Sequence, residues 1–244
     1  RLRGAPGRGV VTDPWEDPRV TEGLERQLEA RAEMLSGGAV HVGWKVGFGA
    51  PTALELMQIT APLLGYLTDE TVFESGASFD TDGWTRGVVE FEVAVWMGSD
   101  LGPGASEAEA AAAVSAVGPA IEVADVDLPI GPSGVADIMA GDIFHKGVIF
   151  GSRDSSRAGL DISEMSAQIS IDGVERARVT ELEAITGVYP WIVSTVASTL
   201  ASAGERLRAG DVIITGSVIP PVSVDDGREF TFALDPMPPI SVHV

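Results

Sequence analysis

The chain has 244 residues, 45% of them hydrophobic, with no cysteine and a formal net charge of −20 from 16 basic and 36 acidic residues. That length and apolar content suit one large packed domain, and the acidity argues against nucleic acid and anionic membrane as partners. Without cysteine there is no disulfide, thiolate metal site or cysteine nucleophile, and no uninterrupted apolar run of about 18 residues marks a membrane span. No charged start leads into an apolar stretch, so no signal peptide is expected, the missing initiator Met is read as loss of N-terminal residues, and cytoplasm is the expected compartment. A field this acidic repels small anions, so a site for one needs a metal, an Arg or a Lys. The only lysines are Lys45 and Lys146.

In chain order, Arg1 to Thr12 is rich in Gly and Arg and reads as a flexible or partner-packed arm. Asp17-Pro18 supplies a cap and a first-turn proline for a helix that runs to Leu35 and ends at Gly37-Gly38. The stretch from His41 to Phe48 alternates, with Val42, Trp44, Val46 and Phe48 on one face and His41, Gly43, Lys45 and Gly47 on the other. Lys45 thus lies between glycines that leave space for a ligand. A short helix is predicted at Thr52 to Thr60 and a short extended piece at Gly65 to Leu67. Val88 to Trp96 reads as a strand. Ser106 to Glu109 is a capping box opening an Ala-rich helix that stops near Gly118-Pro119. Gly131 to Gly141 begins as a loop, and Lys146 to Phe150 reads as a buried strand. Asp172-Gly173 joins Ala167–Ile171 to Val174–Val179 as a hairpin. Tyr189 to Ala203 is an amphipathic helix closed by Gly204, Asp211 to Thr215 a strand running into Gly216-Ser217, and two strands, Glu229 to Leu234 and Ile240 to Val244, finish the chain. The many short strands and few helices predict a mixed, strand-dominated single domain.

The chemistry concentrates in the acidic strand. Because strand side chains alternate, Glu90 and Glu92 share one face while Val89, Phe91, Val93 and Val95 take the other. Either this is a half-exposed sheet with both carboxylates in water, or two like charges share one buried site. Burying them without partners costs several kcal/mol each. A third glutamate, Glu122, lies in the apolar run Pro119–Ala124 and favours the buried alternative. Three carboxylates and oxygen-only ligands point to a hard divalent ion, Mg2+ or Mn2+.

These pieces together resemble the 2-keto-4-pentenoate hydratase and 4-oxalocrotonate decarboxylase branch of the fumarylacetoacetate hydrolase superfamily, from about Gly43 to the C-terminus. The carriers are Gly43-Trp44-Lys45-Val46-Gly47, Glu90-Phe91-Glu92, Pro119-Ala120-Ile121-Glu122, Asp142 before the Val148–Gly151 strand, and Gly210-Asp211 through Gly216-Ser217. The resemblance implies an α+β fold, a mixed β-sheet roll or barrel with flanking helices and a short N-terminal helical region. Residues 1–40 would form the arm and helix and residues 41–244 the catalytic domain. It implies Mg2+ or Mn2+ held by Glu90, Glu92 and Glu122, proton transfer by Lys45, Ser217 at the substrate, and a homo-oligomer. Two departures bear on the substrate: Asp142 is followed by Ile143, Phe144, His145 and Lys146 where the family continues with Asn, and Ser217 is followed by Val218-Ile219 where the family has Thr or Arg.

The implied function is a metal-dependent lyase that hydrates a 2-hydroxy-2,4-dienoate or decarboxylates a 2-oxo acid by way of an enolate that the metal stabilises. Lys45 would shuttle the proton at carbon once burial or the nearby cation lowers its pKa. Arg86 is a candidate for bidentate binding of a substrate carboxylate, and Asp142, His145, Lys146 and Val218 are candidates for the substrate shell. Asp125 and Asp127 are read either as groups that orient the ligands or as solvent-facing loop acids. The alternatives are C–C hydrolysis of an acylpyruvate-like substrate, which needs a base such as His41 with a partner, and an inactive assembly subunit of the same fold.

Overall fold

A computed structural model describes residues 17–244; the Arg1–Thr12 arm lies outside them. The elements are α1 (Pro18–Gly37), β1 (His41–Gly47), α2 (Pro51–Met57), β2 (Leu63–Thr68), β3 (Val72–Phe73), β4 (Ala77–Ser78), β5 (Gly87–Met97), α3 (Glu107–Ala112) and β6 (Val114–Asp125). They continue as α4 (Val135–Ala140), β7 (His145–Phe150), β8 (Ser166–Ile171), β9 (Val174–Val179), α5 (Glu183–Thr186), α6 (Tyr189–Ser202), β10 (Val212–Ser217), β11 (Val222–Ser223), β12 (Glu229–Asp235) and β13 (Ile240–His243). The large sheet runs β2-β1-β10-β5-β6-β7-β3, with β11 beside β5, and the small sheet runs β4-β13-β12-β8-β9.

The main core lies between the sheets and under α6. Trp44, Val46, Val89, Phe91, Val93 and Val95 face Phe230, Phe232, Ile192 and Val193, and the Phe91 and Phe232 rings sit 5.7 Å apart. On the opposite face of β5, Ala94 and Trp96 join one smaller apolar cluster. Val88 joins another, formed with α1, α2 and α4. Glu90 and Glu92 fall between these two clusters, so the face that carries them is apolar on either side of the carboxylates. The half-exposed sheet is therefore the alternative that the structure overturns.

Several elements differ from the sequence expectation. The Ala-rich helix ends at Ala112, not near Gly118, because β6 pairs with β5 along its whole length, from Met97↔Val114 to Gly87↔Asp125. Tertiary pairing outweighs the helix propensity of the alanines. α2 ends at Met57, where Gln58 caps it in the left-handed conformation. The stretch that begins as a loop at Gly131 continues as a helix over Val135–Ala140, an element not named from the sequence. In β1 a bulge between His41 and Gly43 breaks the alternation. His41 then meets the Trp44 ring at a tilt, with centroids 4.9 Å apart, Val42 packs instead with the Ala94–Trp96 cluster, and Phe48, at φ 58, turns toward Phe144.

Candidate metal centre and active site

Register alone brings the acidic groups together. Glu90 stands directly opposite Glu122 in the β5–β6 ladder, and Glu92 opposite Ser217 of β10. Like charges in directly opposed positions destabilise a sheet. One carboxylate oxygen each from Glu90, Glu92 and Glu122 lies within 4.8 Å of the others. Glu92 and Glu122 are buried, and Glu90 lines a cavity of about 680 Å³. Glu92 Oε2 accepts from the Gly216 N–H at 2.5 Å, while Glu92 Oε1 is buried without a hydrogen-bond partner.

Lys45 is also buried, and its Nζ donates to Glu122 Oε1 and, at 2.9 Å, to the Ile143 carbonyl. β1 and β6 are three strands apart, about 14 Å in a flat sheet, so a Lys–Glu contact across that interval records the inward curl of the sheet. Of the glycines on the Lys45 face, Gly47 lines the cavity beside Lys45, whereas Gly43 packs against β10. A Cβ on Gly43 would stand 2.0 Å from the Val212 carbonyl oxygen, and one on Gly47 2.7 Å from the Ile143 side chain. The glycine that accommodates Lys45 is Gly65 on β2, where a Cβ would meet Lys45 Cγ at 2.5 Å and Asp142 Oδ1 at 2.7 Å.

Asp142, Ile143 and Phe144 adopt φ of 54, 50 and 68. Three successive side-chain-bearing residues in the left-handed region form a strained turn, each costing about 1–3 kcal/mol, and a β-branched Ile there is an outlier. This turn aims the Ile143 carbonyl at Lys45, and Asp142 Oδ1 accepts from the Tyr66 N–H at 2.8 Å. His145 follows, its side chain 2% exposed, with Nδ1 2.7 Å from Glu122 Oε1 and Nε2 3.1 Å from Thr71 Oγ1.

The electrostatics follow from burial and an excess of acid. Burial first, and then the charge of Glu122, pushes Glu90 up to about 7. Burial, Glu122 and Glu90 push Glu92 well above the carboxylate range. Burial also acts to raise Glu122, but Lys45 and His145 outweigh it and hold Glu122 at about 2. Asp142 is driven up to about 8 by burial, against Lys45 and the Tyr66 N–H. For Lys45, burial acts to lower the pKa and the Glu122 and Asp142 carboxylates reverse it, so the direction is upward and the group is an ammonium. Burial acts in the direction expected from the sequence, and it is the neighbouring carboxylates that outweigh it. The three clustered glutamates carry more negative charge than Lys45 can balance, and Glu92 has an unused oxygen. That donor set fits a hard divalent cation.

The other predicted residues divide. Ser217 Oγ accepts from the Phe91 N–H at 3.0 Å and lies on the cavity wall. Arg86 is exposed at the mouth of the same cavity. Val218 turns into the main core because the β10–β5 register shifts between Ile214 and Ser217, and Ile219 takes its place on the cavity wall. In β7 a shift between Val123 and Ala124 leaves Lys146 exposed and turns His145 to the Glu122 face. Asp125 accepts from the Thr85 and Arg86 N–H groups at 2.9 Å, fixing the entry to β5. His41 has a partner, Asp211 Oδ1 at 3.4 Å, but neither lines the cavity. Thr71 had no signal in the sequence, since only the fold brings it to His145.

The family model for the fumarylacetoacetate hydrolase C-terminal region matches residues 47–244. A 2-hydroxyhexa-2,4-dienoate hydratase of Comamonas testosteroni is 26% identical, over 99% of this chain and 92% of the relative. A 4-oxalocrotonate decarboxylase of a Pseudomonas species is 29% identical, over 85% and 80%. Among solved structures, the 4-oxalocrotonate decarboxylase from Pseudomonas putida G7, complexed with magnesium and adipate, superposes with a TM-score of 0.82 at 23% identity, covering 96% of this chain and 89% of that one. The curled sheet with flanking helices is thus the fold that the sequence resemblance implied, and the chain belongs to the fumarylacetoacetate hydrolase family through residues 47–244.

Proposed function

We propose that the chain is a divalent-metal-dependent lyase that hydrates a 2-hydroxy-2,4-dienoate or decarboxylates a 2-oxo acid. The observation that carries the reading is the trio Glu90, Glu92 and Glu122, two of which, Glu90 and Glu122, line a largely apolar cavity, with a buried lysine against Glu122. These three residues would hold Mg2+ or Mn2+, which when bound supplies Lewis-acid stabilisation of negative charge developing on a substrate oxygen.

The remaining roles fall to the chain itself. Lys45 holds a proton at Nζ beside the cavity, kept there by Glu122, and gives it to substrate carbon as a general acid. Ile143 fixes the ammonium through its carbonyl. Val88, Phe144 and Ile219 form apolar wall and limit water around the reacting carbons. Arg86 at the mouth offers a guanidinium to an anionic substrate, offsetting the acidic field of the chain. Asp142 supports the lysine and does not itself line the cavity. The chain acts as a homo-oligomer, which light scattering tests. No helix among the described residues is long and apolar enough to cross a membrane.

The hydrolytic alternative needs a base for water, and no histidine lines the cavity among the described residues. Product analysis with 2-hydroxypenta-2,4-dienoate, 4-oxalocrotonate and an acylpyruvate, each with Mg2+ or Mn2+, tests the proposal. The expected products are a 4-hydroxy-2-oxo acid or CO2. Cleavage of the acylpyruvate into two acids would establish the hydrolase instead. No turnover together with no metal uptake would establish the inactive subunit.

A further inference from the structure

The β-bulge between β6 and β7 brings a histidine to a place where strict alternation would put a lysine. Val148 stands opposite Glu122 and Gly147 opposite Val123, but Ala124 pairs with His145, which leaves Lys146 as the extra residue. His145 is then the side chain that reaches Glu122, and Lys146 is exposed. On its other side His145 meets Thr71, carried by the turn Asp69–Thr71 that leads into β3, which pairs in parallel with β7 through Val72↔Val148.

The proton inventory of this chain of groups is constrained. Glu122 Oε1 already accepts from Lys45 Nζ and stands 2.7 Å from His145 Nδ1, so Nδ1 is the atom of this pair placed to donate. Nε2 faces the Thr71 hydroxyl at 3.1 Å, and that hydroxyl also lies 3.2 Å from the Thr68 carbonyl. Lys45 and His145 converge on the same oxygen, Oε1. The two donors therefore fix the carboxylate's rotation and leave Oε2 as its oxygen for a further partner.

We propose that Thr71 and His145 form a positioning pair that orients Glu122 so that Oε2 faces the cation, and that the pair thereby sets metal affinity. The proposal deepens the lyase reading and rests on Glu122 being a metal ligand. His145 is accordingly a positioning residue in place of a substrate contact, and Thr71, half-buried and far from the cavity wall in sequence, acts through it. Outer groups of this kind typically change metal affinity by about 10–100-fold when removed.

The test is calorimetric titration of Mn2+ into the full chain, before any substrate is added. His145→Ala should weaken Mn2+ binding by about 10–100-fold. Thr71→Val, which keeps shape and removes the hydroxyl, should weaken it by several-fold with an unchanged melting temperature, and Thr71→Ser should restore it. His145→Asn, whose amide N–H2 can replace Nδ1–H, should retain more affinity than His145→Ala. If His145→Ala does not fold, the Thr71 pair and His145→Asn carry the comparison. Wild-type affinity in Thr71→Val or in folded His145→Ala, or Thr71→Ser no better than Thr71→Val, overturns the positioning pair alone. A wild-type chain that takes up no Mn2+ overturns the pair together with the metal reading beneath it.

Discussion

The two ends of β1 each hold a basic side chain against an acid, and they resolve it in opposite ways. At the His41 end, Asp211 Oδ1 faces His41 Nε2 at 3.4 Å, while Oδ2 accepts from Trp44 Nε1 at 3.2 Å and from the Arg208 N–H at 3.0 Å. Every acidic oxygen there has a protein partner and the orphan atom is a histidine nitrogen, His41 Nδ1, so the cluster ties β1 to the start of β10 and presents no unused acid. At the Lys45 end, one ammonium meets Glu90, Glu92, Glu122 and Asp142, and Glu92 Oε1 has no partner. A balanced pair is a structural joint, whereas a surplus of buried acid is a place prepared for a charge from outside the chain.

The comparison breaks most visibly at Glu92. Glu92→Gln should reduce Mg2+ or Mn2+ binding by at least 100-fold and turnover to background while the fold persists. With a chelator present at pH 7, the variant should melt a few degrees higher than wild type, because wild type folds only by giving up the ionisation of the buried Glu92 carboxyl, and about 1 kcal/mol corresponds to about 2–4 °C for a chain of this size. Unchanged activity, measured alongside calorimetry, would count against the site.

Lys45→Ala should retain metal binding and lose turnover by about 10²–10⁴-fold, the range for a positioned general acid. Full activity in that variant would remove its assigned role. Asp142 allows a test by pH. Burial pushes its carboxyl up to about 8 in the fold from an ordinary value of 3.8, so the folded state holds a proton that the unfolded chain has released. The associated stability is present below the unfolded pKa and lost as pH rises towards about 8. Asp142→Asn, which keeps the acceptor for the Tyr66 N–H, should match wild type near pH 4 and melt higher at pH 8. Equal melting temperatures at both would contradict the burial argument. The smallest effect is expected at the balanced end, where Asp211→Asn should cost about 1 kcal/mol of stability, read in urea, and leave metal affinity unchanged.

Much of this was readable from residue order. Alternation put Glu90 and Glu92 on one face, and the apolar company of Glu122 pointed to the same place. Asp172-Gly173 marked its hairpin, with φ of 49 and 76 at the turn as that dipeptide favours. What alternation could not supply was the location of the bulges. Each inserted residue exchanges the faces of its neighbours, which is why Val42 leaves the Trp44 face and why His145 takes the position that Lys146 would have held. The register shift in β10 likewise turns Val218 to the core and Ile219 to the cavity. Nor could composition distinguish Ala-rich helix from strand across Val114–Gly118, where pairing with β5 decides. The partnership of Thr71 with His145 joins residues 74 positions apart and exists only once β3 has docked on β7.

Anomalous diffraction from crystals grown with Mn2+ tests the central claim most directly. One strong peak is expected within bonding distance of a carboxylate oxygen from each of Glu90, Glu92 and Glu122. A peak at another place, or those three side chains in ordered hydrogen bonds with no ion between them, would contradict it.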